Sequence, residues 1–122
     1  MAKKTIMTVD DSPSIRRFVK MIMQNAGYEV VEAEDGRDAL EKMNGSPIHL
    51  AFVDLNMPNM NGIEFIRAVR SHEKYRFIPL IMLTTESQLS KKLEGKKAGA
   101  TGWIVKPFKP EQLLAVVKRV LG

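Results

Sequence analysis

The sequence predicts an α/β fold: five parallel strands in one open, doubly wound sheet of order 2-1-3-4-5, with helices on both faces to make three layers. Three observations predict it. Short β-branched apolar runs, the form taken by strands buried on both faces, alternate with segments whose apolar residues recur at spacings of three and four. Polar residues able to do chemistry, Asp10-Asp11, Asp54, Thr84 and Lys106, fall where four of those runs end. Five strand-helix units are also too few to close a parallel barrel.

The first strand is Thr5–Val9, TIMTV. In the next four residues, DDSP, Ser12 is a good N-cap and Pro13 a good first helical residue. That helix runs to about Asn25 on the apolar positions Ile15, Phe18, Val19, Ile22 and Met23, and Gly27 stops it. YEVVEA, residues 28–33, is the second strand. Asp35-Gly36 opens a short helix carrying Ala39, Leu40 and Met43, and Gly45-Ser46-Pro47 breaks the chain before the third strand, IHLAFVD, residues 48–54. The loop LNMPNMNG must turn over the sheet edge, because proline, asparagine and glycine do not continue a strand. A third helix uses Ile63, Phe65, Ile66 and Val69. FIPLIMLTT, residues 77–85, is the fourth strand, with Pro79 near its start. A weak helix over about residues 87–97, the strand GWIV, the KPF turn and a helix from Pro110 to Leu121 complete the chain. Right-handed crossovers place the first and last helices on one face and the middle three on the other, the flavodoxin-like arrangement.

Composition narrows the function. The 122 residues, 44% hydrophobic and 27% charged, fit a single domain spanning 1–122. No apolar run reaches membrane-spanning length and the N-terminus reads as no leader, so a cytoplasmic protein without membrane insertion is expected. The absence of cysteine excludes disulfides and thiolate sites, and His49 and His72 lack ligand spacing. The charge of +5 is scattered without a nucleic-acid-binding motif, which predicts an acidic protein partner and no direct DNA binding. Only SKKLEGKK, residues 90–97, concentrates positive charge; a solvated helix face is its ordinary explanation.

Each polar position has an ordinary explanation too. Asp10-Asp11 could cap a helix, Thr84 could be a β-branched strand residue, and the Lys106 side chain could snorkel to solvent. Together, however, they meet at the carboxyl edge of the sheet, where ligands bind in open α/β folds. Clustered carboxylates repel, which raises a pKa unless a cation neutralises them. Magnesium suits Asp11 and Asp54 with a loop carbonyl, which Asn56 can provide. A carboxylate beside Mg²⁺ and an ammonium can attack phosphorus, giving an aspartyl phosphate. A flavin- or nucleotide-binding domain of this fold would instead carry a glycine- or hydroxyl-rich phosphate loop after the first strand, where this chain has acids.

VDDSPSIRR, AEDGRDAL, VDLNMPNMNG, IMLTT and AGATGWIVKPF closely resemble the receiver domains of two-component response regulators, in family order and over essentially the whole chain. The likeness is greatest to single-domain chemotaxis members. The resemblance implies that Asp54 is the phosphoacceptor, that Asp10 and Asp11 are the acidic pair with Asp11 the direct Mg²⁺ ligand and Asp10 an indirect one, and that Asn56 lends its backbone carbonyl. It makes Thr84 the switch hydroxyl, Lys106 the family lysine, and Pro107 the residue after what is usually a cis peptide. Asn56 and Glu86 match positions that tune phosphoryl lifetime. Trp103 falls at the switch-aromatic position, usually tyrosine or phenylalanine; it reads equally as a core residue of the last strand. The implied protein is not an enzyme in the usual sense: it catalyses only its own phosphorylation and dephosphorylation. A CheA-like histidine kinase donates, and the face of the fourth helix, fifth strand and fifth helix signals to the flagellar motor switch. A phosphatase is a further possible partner. The alternative is a relay intermediate passing phosphate to a phosphotransfer protein. The fourth helix is expected to be the mobile element, because Gly95 in its interior costs about 1 kcal/mol against alanine and Lys91, Lys92, Lys96 and Lys97 repel.

Overall fold

The computed structural model describes residues 3–122, so the first two residues of the expected 1–122 domain lie outside it. Its elements are β1 (Thr5–Val9), α1 (Pro13–Asn25), β2 (Glu29–Ala33), α2 (Gly36–Met43), β3 (Leu50–Val53), α3 (Gly62–Arg70), β4 (Leu80–Thr84), α4 (Leu89–Ala98), β5 (Gly102–Val105) and α5 (Pro110–Leu121). The strands are all parallel in the order β2-β1-β3-β4-β5, as expected. Among the described residues no helix is long and apolar enough to cross a membrane.

Alternation along each strand splits the core in two. Met7, Val9, Ala51, Val53, Leu80 and Met82 pack with Ala39 and Met43 of α2 and with Ile63, Phe65, Ile66 and Val69 of α3. On the opposite face Ile6, Leu50, Phe52, Ile81 and Leu83 meet Val19, Ile22 and Met23 of α1 and Leu113 and Val117 of α5. Each fully buried aliphatic side chain contributes about 1.5–3 kcal/mol, so both helical layers are firmly attached. Phe18, expected among the apolar positions of α1, is 37% exposed and stacks on Phe108 instead.

Four elements are shorter than the sequence suggests, β2 by one residue, since it starts at Glu29 and the Tyr28 amide donates to Met23 O at the end of α1. β3 starts at Leu50 and ends at Val53 rather than spanning 48–54, because pairing with β1 begins at Ile6 with Leu50 and Asp54 turns its carbonyl oxygen against Gly62. β4 starts at Leu80 rather than at residue 77. Pro79 has no N–H to give the ladder and contributes only its carbonyl, to Ala51 N, while Phe77 is 85% exposed. α4 begins at Leu89, not at residue 87, and Gln88 provides no side-chain cap. Only Gly95 of α4 is buried; Leu89 and Leu93 face solvent, which fits the expected weakness of this helix. Its lysines are partly compensated, since Lys91 pairs with Glu94 at 3.5 Å.

Half-buried Arg70 closes α3 and fastens both ends of the β4–α4 unit. Its Nε and Nη2 donate to the Gly99 carbonyl at 3.0 and 2.7 Å, and its Nη1 donates to the Ile78 and Arg76 carbonyls at 2.7 and 2.9 Å.

Candidate functional site

The ends of β1, β3, β4 and β5 bring the polar residues together. Asp10 directly follows β1, where its amide continues the ladder to Ala33 O at 3.0 Å; Asp54 directly follows β3 and donates likewise to Val9 O at 2.9 Å. Both aspartates are thus aligned by the sheet although neither belongs to a strand. Carboxylate oxygens of Asp10, Asp11 and Asp54 all lie within 4.8 Å of one another. Asp10 and Asp54 are buried and Asp11 is exposed, so the cluster opens to solvent on the Asp11 side.

Lys106, one residue past β5, reaches into this cluster. Its Nζ is 2.7 Å from Asp10 Oδ2 and 3.7 Å from Asp54 Oδ2. Asp10 Oδ1 accepts from Ser12 N at 2.9 Å, so both oxygens of Asp10 are engaged. Asp54 is the less committed of the two buried carboxylates. Burial raises its pKa most, the Asp10 charge raises it further, and the Lys106 ammonium, the Thr84 hydroxyl and the Leu55 amide offset this only in part. A group held this way gains from any added positive charge. The donor set is oxygen only, which suits a hard divalent cation and not zinc or copper.

Thr84, fully buried at the end of β4, accepts from Glu86 N at 3.3 Å. Trp103 stands apart from the carboxylates: its indole Nε1 donates to the Glu86 carbonyl at 2.9 Å, and its ring packs against the α2–α3 core. Trp103 is half-buried, as the core reading expects. Asn56 is exposed two residues past Asp54, and Glu86 is half-buried at the β4–α4 loop. Lys106-Pro107 is cis.

Two supports of the site have no clear signature in the sequence. Gly62, part of a turn by its sequence context, opens α3 directly against the Asp54-Leu55 backbone. Its amide donates to Leu55 O at 2.9 Å, and a Cβ there would lie 2.3 Å from Asp54 O. The tight MNG turn carries a signal, but not for the close approach. Asp35 caps α2 through Asp38 N at 2.8 Å and also accepts from Asn59 Nδ2 at 2.8 Å, tying the β3–α3 loop down. These bonds hold the Asp35 carboxyl below the usual carboxylate range, the Asp38 amide contributing most.

Residues 6–118 match the model of the response regulator receiver domain. The chain is 40% identical to chemotaxis protein CheY1 of Helicobacter pylori over 96% of each chain. It is 37% identical to the phosphate regulon transcriptional regulatory protein PhoB of Pseudomonas aeruginosa, over 99% of this chain but 53% of that one. Among solved structures it resembles chemotaxis protein CheY4 of Vibrio cholerae, with a TM-score of 0.93, 51% identity and coverage of 98% and 99% of the two chains.

Proposed function

Because the chain belongs to the response regulator receiver domain family, we propose that it is a receiver that takes a phosphoryl group from the phosphohistidine of a histidine kinase onto Asp54. One observation carries this reading: Asp54 sits buried between two further carboxylates and the Lys106 ammonium, its pKa raised by burial and by Asp10. An Asp54 oxygen attacks phosphorus, the new O–P bond forms as the histidine N–P bond breaks, and the imidazole nitrogen keeps the leaving pair. Lys106, already 3.7 Å from Asp54, pairs with the incoming phosphoryl oxygens.

The oxygen-only cluster fits Mg²⁺. Asp11 and Asp54 would hold it with the Asn56 carbonyl, and Asp10 would act indirectly, as its engaged oxygens suggest. When bound, Mg²⁺ neutralises charge on the phosphoryl oxygens and relieves repulsion among the three carboxylates. Asn56 and Glu86 flank the acceptor and the switch threonine and tune how long the phosphoryl group lasts.

Charge at Asp54 draws the Thr84 hydroxyl toward it and away from the Glu86 amide, and the change emerges on the face of α4, β5 and α5. That face carries exposed Leu89 and Leu93 and a groove lined by Lys92, Lys96 and Trp103, suited to an acidic, apolar partner segment. The output is a binding event in the cytoplasm and no turnover of a substrate. The similarity to chemotaxis proteins among both the relatives and the solved structures favours a CheA-like donor, a flagellar motor switch target and removal by a phosphatase.

Acid-labile, hydroxylamine-sensitive labelling by a kinase or by acetyl phosphate tests the reading. It should vanish in Asp54→Ala and nearly vanish in Asp11→Ala. Stoichiometric labelling that persists in Asp54→Ala places the acceptor elsewhere.

A further inference from the structure

We propose that Gly95 and Trp103 are a matched pair that fixes the height of α4 above β5, and that Gly95 thereby acts as a positioning residue for the β4–α4 loop. Gly95 is the one buried residue of α4. A Cβ built on it would lie 2.8 Å from Cζ3 of Trp103, 3.5 Å from Cε3 and 3.9 Å from Cη2, so any side chain requires the indole or the helix to move. The indole is not free to withdraw, because its Nε1 is bonded to the Glu86 carbonyl at 2.9 Å. The amide of the same residue donates to Thr84 Oγ1 at 3.3 Å. Helix, ring and loop are therefore one assembly, and the glycine is the notch that lets the ring sit beneath the helix.

This changes the meaning of Gly95. On helix propensity alone it lowers the ratio of folded to unfolded protein about fivefold against alanine. The notch offsets that loss by admitting an indole that pins the loop from below. A smaller residue at position 103 leaves the notch unfilled, and a larger one at position 95 evicts the ring. The two positions cannot vary independently. The bearing of this pair on signalling rests on the function proposed above; the packing itself does not.

A double-mutant cycle of Gly95→Ala and Trp103→Leu, followed by urea unfolding with far-UV circular dichroism, tests the packing. Gly95→Ala should lower the folding constant in the wild-type background and raise it about fivefold in the Trp103→Leu background, a coupling of about tenfold or more. Trp103→Phe replaces leucine if that variant does not fold. Effects that multiply independently within about twofold overturn the pair. In Gly95→Ala the Trp103 emission should also shift to the red as the ring enters water, and an unshifted spectrum counts against the proposal. For the loop, amide exchange over residues 84–95 is compared before and after adding Mg²⁺ with beryllofluoride. A wild-type response that is diminished in Gly95→Ala and Trp103→Phe supports the positioning role, and an identical response in all three overturns it. No response in the wild type instead refutes the proposed function, while the double-mutant cycle still decides the packing.

Discussion

Replacing Gly62 with alanine should damage both the fold and the site, by an amount the backbone geometry sets. The new Cβ would lie 2.3 Å from Asp54 O, 3.0 Å from Leu55 Cα and 3.1 Å from Asp54 C, where ordinary contact begins at 3.4 Å. All three obstacles are main chain, which cannot rotate away as a side-chain tip can. Relief requires α3 and the Asp54-Leu55 segment to separate by about 1 Å, in an interior packed at crystal-like density. Overpacking of this kind costs about 1–3 kcal/mol, and the Gly62-to-Leu55 hydrogen bond adds about 1 kcal/mol when it is lost. A loss of about 2–4 kcal/mol leaves the domain folded but lowers Tm by roughly 10 °C. Because the moving segment carries Asp54, labelling by acetyl phosphate should slow by more than about tenfold even where the variant is fully folded. Thermal unfolding is measured first, and labelling rates are then compared about 20 °C below the variant's own Tm. A Tm within about 2 °C of wild type together with an unchanged rate refutes the reasoning that this contact is rigid.

Three further outcomes follow from the site. In metal-free protein the raised Asp54 pKa lends stability that is complete below the unfolded-state pKa and lost as pH rises through the folded one; urea midpoints of wild type should fall across that window relative to Asp54→Asn, and parallel curves count against it. Mg²⁺ at about 100 times its Kd should stabilise the wild type by about 2.7 kcal/mol and change Trp103 emission, with Ca²⁺ a poor substitute; both effects should be absent in Asp11→Ala, and a fluorescence response that survives there removes the metal argument. Asp35→Ala should cost about 1 kcal/mol for the lost α2 cap and more for the Asn59 tie, a difference present above the unfolded-state pKa and lost as pH falls through the lowered folded one; a pH-independent difference between the midpoints speaks against the charge-assisted bonds.

Much of the site is legible in the sequence because its residues break local rules. Aspartate is depleted in strands, so an aspartate closing LAFV stands out, as does a lysine before proline. The five-unit alternation likewise follows from hydrophobic period alone, and Ile63, Phe65, Ile66 and Val69 are all buried where the spacing puts them. The features that escape depend on which backbone approaches which. Gly62 and Gly95 look alike in sequence, yet one faces the Asp54 carbonyl and the other an indole. The Asp35-to-Asn59 bond joins residues 24 apart and has no local signature. Hydropathy overextends β4 because Phe77 and Ile78 are as apolar as the strand that follows, whereas the register with β3 begins only at Leu80, past Pro79.

Arg70 governs how α4 is attached to the rest of the domain. One guanidinium holds the chain at Ile78, just before β4, and again at Gly99, just after α4, so the whole excursion between them departs from and returns to a single post. At the opposite end of the helix the fastening is indirect, through the loop that the Trp103 indole holds at the Glu86 carbonyl. Were α4 to tilt about the Arg70-held end at Ala98, its far edge would be Leu89. At 1.5 Å per residue that edge is about 14 Å from the held end, so a tilt of only about 10° would carry Leu89 through roughly 2 Å while Ala98 scarcely moved. A partner that grips Leu89 and Leu93 works at the long end of this lever, where the smallest rotation makes the largest difference to its footing.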